Sequence, residues 1–208
     1  MPSPPPGRIL LDGPVGKIEI ALNAPRGQPR GIALIAHPHP LYGGTLDNKV
    51  AQTLAKAFTE LDCIALRPNF RGVGLTEGKH DDGRGETEDL LAVLAYAQQH
   101  YADLPVFLAG FSFGSFVQIQ VRERAAAGKL VLVAPAVGRI QAQQFDAGRV
   151  PAGTLVIHGE LDETVPLAAC LDWARPQELP IVVIPGADHF FHRRLHIIKQ
   201  LVLDACRF

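Results

Sequence analysis

Residues 32–36 form an unbroken apolar run, Ile-Ala-Leu-Ile-Ala, in which no position carries a polar side chain. A half-exposed strand would alternate apolar and polar residues, whereas a strand buried on both faces reads as a continuous apolar run. Five further short, mostly apolar runs follow along the chain and predict strands, at residues 63–67, 106–109, 130–134, 154–158 and 181–184. The sequence therefore predicts a sheet whose central strands are covered by helices on both sides.

Helical periodicity fills the spaces between most of these strands, at residues 47–60, 86–101, 115–127 and 167–174 and from residue 193 onward. Before them, two alternating runs at residues 8–12 and 17–22 flank a Gly-Pro-Val-Gly turn, which predicts a β-hairpin. Strands that alternate with helices form mostly parallel, doubly wound sheets. We expect one α/β domain over residues 8–208, with an antiparallel N-terminal hairpin and a flexible proline-rich tail over residues 1–7.

The charge balance restricts the kind of partner. Twenty Lys and Arg residues oppose 21 Asp and Glu residues, so no net positive field attracts nucleic acid or an anionic membrane. No apolar stretch approaches the roughly 18 residues that cross a bilayer. We expect a small uncharged molecule as the partner, no nucleic acid and no membrane, and the oligomeric state is left open.

The three cysteines predict a reducing compartment. Cys63, Cys170 and Cys206 are odd in number, have no CxxC spacing and lie in apolar or helical stretches. Residues 1–7 also lack the basic start and the apolar run of a secretory signal. We therefore expect reduced thiols and a cytoplasmic protein.

A candidate nucleophile follows the strand predicted at residues 106–109. Gly110-Phe111-Ser112-Phe113-Gly114 has the pattern G-x-S-x-G between a strand and a helix, which is the context of a nucleophile elbow. The turn is so sharp that only hydrogen fits two residues either side of the serine. The alternative is a serine that merely caps a helix in a glycine-rich turn.

A nucleophilic serine needs a histidine base and a carboxylate that orients the base. In this fold type the chain order is Ser, Asp, His, and only His189 follows both a late strand and the candidate serine in that order. His192 and His196, four residues apart, have no third partner and fit a polar helix face, so we expect no metal site. The candidate carboxylates are Glu160, Asp162, Glu163 and Asp188.

Three segments together resemble the α/β-hydrolase superfamily: G-F-S-F-G at 110–114, H-G-E-L-D-E-T-V-P at 158–166 and P-G-A-D-H-F-F at 185–191. Two more, H-P-H-P-L-Y-G-G-T-L-D-N at 37–48 and N-F-R-G-V-G at 69–74, are similar to a small bacterial group of predicted α/β hydrolases. The resemblance implies a triad of Ser112, Asp162 and His189, hydrolysis of carboxylic esters or related acyl compounds, and no cofactor.

The resemblance also implies an oxyanion hole made of two backbone N–H groups. One belongs to Phe113, directly after the serine, and by position the other belongs to His39. The superfamily often has H-G-x-P here, and proline replaces that glycine in this chain, so Leu41 or Tyr42 is the alternative donor. The side chains of His37 and His39 are either functional or polar ends of a strand.

The segment after the fourth buried strand is too short for a cap domain. In this superfamily a cap is usually inserted there, but only residues 135–153 separate that strand from the next. We expect a loop or one short helix, and an open cleft lined by residues 39–42 and 69–74. Such a cleft would favour short-chain, soluble esters.

Two classes of function remain at this point. The first is a serine hydrolase of the carboxylesterase type, with thioesters, amides or short peptides as alternative substrates, because a triad specifies acyl transfer and not the leaving group. The second is a binding protein that has kept the fold without the activity. Covalent labelling by a fluorophosphonate distinguishes the two.

Overall fold

The computed structural model describes residues 7–140 and 143–208 and contains an eight-stranded sheet flanked by helices. The strands of this sheet are β1 (Gly7–Gly13), β2 (Gly16–Asn23), β3 (Gly31–Ala36), β4 (Cys63–Pro68), β5 (Val106–Phe111), β6 (Lys129–Val133), β9 (Leu155–Gly159) and β10 (Ile181–Ile184). Two short strands, β7 (Gly138–Ile140) and β8 (Gln143–Phe145), pair separately. The helices are α1 (Lys49–Glu60), α2 (Arg84–His100), α3 (Phe113–Arg124), α4 (Leu167–Ala174) and α5 (Leu195–Ala205).

The strand order is β1-β2-β4-β3-β5-β6-β9-β10. The hairpin β1–β2 is antiparallel and joins β4 in antiparallel pairing, whereas every pair from β4 to β10 is parallel. The predicted fold class is thus confirmed. Most of the predicted tail lies outside the described residues, and Gly7 is the first residue of β1.

The apolar run at residues 32–36 is explained by the two cores of the molecule. Ile32 and Leu34 pack into a core cluster that contains side chains of α2, α3 and α4. Ala33 and Ile35, which point to the other face, pack into a second cluster with α1 and α5. All five residues of the run are fully buried. Burial of an aliphatic side chain stabilises the fold by about 1.5–3 kcal/mol, which accounts for the absence of polar residues here.

Helix α1 begins two residues later than the periodicity predicted. Asn48 is its N-cap, and the Asn48 side-chain oxygen accepts hydrogen bonds from the N–H groups of Val50 (2.9 Å) and Ala51 (3.3 Å). These bonds satisfy donors that the first helical turn leaves free. The helix then buries Leu54 and Phe58 against the sheet. This packing holds the preceding segment, residues 37–48, above the carboxyl end of β3.

The segment between β6 and β9 differs from its prediction. We predicted a loop or one short helix, but residues 138–145 contain the antiparallel strands β7 and β8. Strands of three residues are too short to show a period of two in the sequence. The hairpin is held by Phe145, which is 5 % exposed and packs edge-on against Phe116, with ring centroids 5.2 Å apart. Between β6 and β9, the described residues form no cap domain.

No helix in the described parts of the chain combines the length and the apolar character that a membrane crossing requires.

Cys63, Cys170 and Cys206 are buried free thiols. Burial raises the pKa of Cys63 and Cys170 to about 12 and that of Cys206 to about 11, so these thiols remain protonated near neutral pH.

Candidate active site

Ser112 lies in a strained turn between the end of β5 and the start of α3. Its φ of 55° and ψ of −120° fall in a region that residues other than glycine rarely adopt. A Cβ on Gly110 would lie 2.5 Å from the Gly114 carbonyl carbon, and a Cβ on Gly114 would lie 2.4 Å from the Ala36 oxygen. The two glycines therefore allow α3 to approach both its own strand and the end of β3, as the G-x-S-x-G pattern predicted.

His189 lies beside the serine hydroxyl. Its Nε2 is 3.1 Å from Ser112 Oγ, and its Nδ1 is 2.7 Å from Asp162 Oδ2. A carboxylate can only accept, so Nδ1 carries the proton and Nε2 is free to accept the hydroxyl proton of the serine. The His189 ring lies between Phe111 (centroid distance 4.9 Å) and Phe190 (5.1 Å), which restrict its rotation.

Asp162 is held by the loop that follows β9. Its Oδ1 accepts hydrogen bonds from the N–H groups of Thr164 (2.9 Å) and Val165 (2.8 Å), which leaves Oδ2 to bond His189. The side chain is fully buried. A carboxylate fixed by two backbone donors has one orientation, so it also fixes the orientation of the imidazole.

The other candidate carboxylates have different partners. Glu160 accepts from the Gly186 N–H at 2.7 Å, and Asp188 accepts from His192 Nδ1 at 2.5 Å. The hydrogen bond from His192 is the main reason why the pKa of Asp188 is lowered. Glu163 is exposed. Within the described residues, Asp162 is the carboxylate that the structure brings to His189.

His158 lies against the candidate acid, a contact that the sequence did not indicate. It is fully buried at the end of β9, and its Nε2 donates to the Val165 carbonyl at 2.9 Å and lies 3.6 Å from Asp162 Oδ2. Burial lowers the pKa of His158, which keeps the ring neutral. His158 precedes Asp162 along the chain, so the order Ser, Asp, His excludes it as the base but not as a neighbour of the carboxylate. Its position four residues before Asp162 is the one signal in the sequence.

Some backbone N–H groups near Ser112 already donate to an acceptor within the protein, and others do not. The N–H of Leu41 donates to His39 Nδ1 (3.3 Å) and that of Tyr42 donates to the His39 oxygen (3.2 Å). In the described chain, the N–H groups of His39 and Phe113 have no acceptor. Their side chains also touch, with ring centroids 4.6 Å apart. Of the three alternatives for the second oxyanion donor, His39 is the one whose N–H is available.

A cavity of about 780 Å³ opens in front of Ser112 and His189. Its apolar wall is formed by Tyr42, Phe113, Phe116, Ala136, Phe145, Val165 and Phe190. Its polar wall includes His39, Asn48, Asp82, Gln143, Gln144 and Thr164. This volume suits a small organic ligand.

The expected contribution of residues 69–74 to the cleft is wrong. Asn69 and Arg71 are buried in contacts of their own: Asn69 Nδ2 donates to Glu19 Oε2 at 2.8 Å, and Arg71 forms a bidentate pair with Asp89. Strand β8 lines the cavity instead. These contacts join residues far apart in sequence, which the local pattern of residues 69–74 did not indicate.

His80 lies against His39, which lines the cavity. The rings of His39 and His80 are 4.8 Å apart, and His80 Nδ1 is 3.0 Å from Oε1 of the buried Glu86. Burial, together with the charge of His80, lowers the pKa of His39. Glu86 also accepts from the Gly83 N–H (2.8 Å) at the start of α2. The sequence around His80 is polar and gave no local signal of these contacts.

The described residues contain no cluster of three His, Cys, Asp or Glu side chains that could hold a metal ion. The sequence analysis expected no metal site at His192 and His196. His192 is engaged with Asp188 at the exposed end of the loop.

Comparison with known proteins finds a matching family model, a relative by sequence and similar solved structures. A family model described as serine aminopeptidase, S33, matches residues 27–146. An uncharacterized protein of Rickettsia prowazekii is 31 % identical over 207 residues, which cover 95 % of this chain and 87 % of that protein. An alpha-beta serine hydrolase homologue from Coxiella burnetii is 39 % identical, with a TM-score of 0.87 over 95 % of this chain and 96 % of the other. XC6422 from Xanthomonas campestris, described as an a/b serine hydrolase without lid, is 34 % identical, with a TM-score of 0.90 over 99 % and 96 %.

Proposed function

The chain belongs to the α/β serine hydrolases, in the family described as serine aminopeptidase S33, and from this premise we propose that it hydrolyses carboxylic esters or related acyl compounds. In this proposal Ser112 is the nucleophile, His189 the base and Asp162 the acid. The observation that carries it is the continuous line of contacts from Ser112 Oγ to His189 (3.1 Å) and on to Asp162 (2.7 Å).

The proposed reaction has two half-reactions. Ser112 Oγ attacks the acyl carbon while His189 Nε2 takes the hydroxyl proton, and Asp162 stabilises the resulting imidazolium. The tetrahedral intermediate collapses as His189 gives the proton to the leaving oxygen, which releases the alcohol and leaves an acyl-enzyme. A water molecule then attacks the acyl carbon while His189 takes its proton, and the second tetrahedral intermediate collapses as His189 gives that proton to Ser112 Oγ, which releases the acid and the free serine.

The negative oxygen of each tetrahedral intermediate needs hydrogen-bond donors. We propose the backbone N–H groups of Phe113 and His39, which have no other acceptor in the described chain. Phe113 is the first residue of α3, so the positive end of the helix dipole acts at the same place.

The proposed substrates are small and soluble. A cavity of about 780 Å³ without a cap encloses a small ester but not a long acyl chain. The apolar wall would take the hydrocarbon part of the substrate. Among the described lining residues no Lys or Arg is present, which agrees with an uncharged acyl group. Thioesters and amides are the alternatives within the same chemistry.

A panel of esters, thioesters and amides with acyl groups of increasing length tests this proposal. We expect turnover of short esters, and we expect Ser112→Ala to lower kcat by about 10³-fold or more. A folded protein that turns over no acyl compound, or a Ser112→Ala variant that keeps the activity, would contradict the proposal and favour a binding protein.

A further inference from the structure

The starting observation is the pair of backbone contacts made by the ring of His37, a fully buried residue directly after β3. The backbone N–H of Phe70 donates to His37 Nε2 at 2.9 Å. A backbone N–H cannot accept a hydrogen bond, so Nε2 carries no proton. Burial lowers the pKa of His37 to about 4, and the neutral ring therefore carries its one proton on Nδ1.

That proton has one acceptor, the carbonyl oxygen of Pro38, at 2.7 Å from Nδ1. No other donor among the described residues bonds this oxygen. Pro38 and Pro40 have no N–H of their own, so the loop has few backbone donors with which to hold the carbonyl. Gly44 packs closely on the other side, since a Cβ there would lie 2.1 Å from the Pro38 oxygen.

The position of this carbonyl determines the direction of the next N–H. The described chain contains no cis peptide bond, and in a trans peptide the C=O and the following N–H point in opposite directions. The His39 N–H therefore points away from the His37 ring. It has no acceptor in the described chain, and His39 lines the same cavity as Ser112.

We propose that His37 is a positioning residue, whose Nδ1–H holds the Pro38–His39 peptide in the orientation that presents the His39 N–H to the oxyanion. The inference rests on the proposed function, because it assigns a purpose to a donor of the hydrolytic site. His37 does not touch the substrate. It connects two peptide groups, of Phe70 and Pro38, and only the second lies in the oxyanion loop.

The tautomer of His37 can be measured in the unmodified protein. In ¹⁵N-labelled protein at neutral pH, the protonated and unprotonated ring nitrogens have well-separated chemical shifts. We expect the Nδ1–H tautomer, as a donor to the Pro38 oxygen requires. The Nε2–H tautomer would overturn the proposal. This measurement does not depend on catalytic activity.

Two amide substitutions separate the two contacts of His37. The amide nitrogen of His37→Asn can replace Nδ1 as the donor to Pro38, whereas the amide oxygen of His37→Gln can replace Nε2 as the acceptor from Phe70. We expect His37→Gln to lower kcat by about 10²-fold, near the loss of one oxyanion donor, with KM changed less than about 3-fold. His37→Asn should stay within about 10-fold of the wild-type kcat.

His100→Asn is the matched control, because exposed His100 also bonds a carbonyl through Nδ1, that of Tyr96, on the far end of α2. It should leave kcat unchanged. Equal loss in His37→Asn and His37→Gln, or a loss confined to KM, would show a merely structural role and overturn the proposal. If instead the wild-type protein has no turnover and Ser112 takes no label, the proposed function itself has failed, and the tautomer still reports on His37.

Discussion

Asp162 differs from the carboxylates around it because its hydrogen bonds go to His189, the proposed catalytic base, and to its own loop. Glu163, the next residue, is exposed. We expect Asp162→Asn to lower kcat by about 10⁴-fold, since the amide favours the wrong tautomer of His189 and does not stabilise the imidazolium. Ester hydrolysis by purified variants checks this, with Glu163→Gln as the control that should keep wild-type rates. A large loss in Glu163→Gln would mean that the acid is misassigned.

The buried, neutral His37 links stability to pH. Its pKa of about 4 in the folded protein is below the ordinary value of 6.5, so the unfolded chain binds this proton first as the pH falls. The stabilising contribution is complete above pH 6.5 and is lost between pH 6.5 and 4. The loss is about 3 kcal/mol by linkage.

Urea unfolding at several pH values measures this effect. We expect the free energy of unfolding of the wild-type protein to fall more steeply between pH 6.5 and 4 than that of His37→Asn. His158, whose pKa is also lowered by burial, contributes a similar slope to both proteins. Parallel curves for the two proteins would show that His37 is not buried in its neutral form.

The sequence indicated the reacting groups but not the residues that hold them. Ser112 and His189 follow from G-x-S-x-G and from chain order, because those features are local or ordered along the chain. The choice of Asp162 as the acid required the family resemblance, since three carboxylates, Glu160, Asp162 and Glu163, lie in the same loop. The contacts of His158 with Asp162 and of His80 with His39 were missed because these residues become neighbours only through folding.

At the scale of elements, the start of α3 lies tightly against the backbone at the end of β3. A Cβ on Gly114 would lie 2.4 Å from the carbonyl oxygens of Ala36 and His37. We expect Gly114→Ala to destabilise the protein by roughly 1–3 kcal/mol or more, as overpacking does, and to reduce activity by moving Ser112 from the oxyanion loop.

Thermal unfolding and ester hydrolysis of this variant check the prediction. Gly153→Ala is the control, because a Cβ there has no heavy atom within 4 Å and its φ is not positive. It should be neutral in both measurements. A Gly114→Ala protein as stable and active as the control would show that α3 and β3 are not in this contact.

Most element boundaries were predictable, because buried strands and amphipathic helices have strong local patterns. The last helix begins at Leu195, two residues later than predicted, and the helix after the serine begins at Phe113, two residues earlier. The β7–β8 hairpin was missed, because strands of three residues owe their formation to Phe145 packing on α3 rather than to a periodic pattern. That hairpin changed the expected lining of the cavity.

At the scale of the whole molecule, the order of strands and helices predicted the doubly wound sheet, since parallel strands with helical crossovers have few other arrangements. All three proposed catalytic residues follow strands of this sheet at their carboxyl ends. That edge is where open α/β sheets bind ligands. Which loop covers which side of the cavity depends on long-range contacts, such as Asn69 with Glu19, and was not predictable.

The absence of a cap domain after β6 has a kinetic consequence. A lid that opens at a lipid–water interface makes the rate increase once the substrate forms micelles. Because no such domain covers the described cavity, we expect no increase in rate above the critical micelle concentration, and kcat/KM that stops rising beyond a few acyl carbons. Rates across acetyl to dodecanoyl esters, on both sides of that concentration, check this. A continuous rise would indicate a hidden tunnel or lid.

The most direct measurement of the central claim is covalent labelling of the native protein with a fluorophosphonate, followed by peptide mass spectrometry. The account predicts one adduct, on the peptide that contains Ser112, with activity lost in proportion to labelling. Ser112→Ala should take no label, and Asp162→Asn should react far more slowly than wild-type protein. No adduct on the folded protein, or an adduct on another residue while Ser112 stays unmodified, would contradict the assignment of Ser112 as the nucleophile.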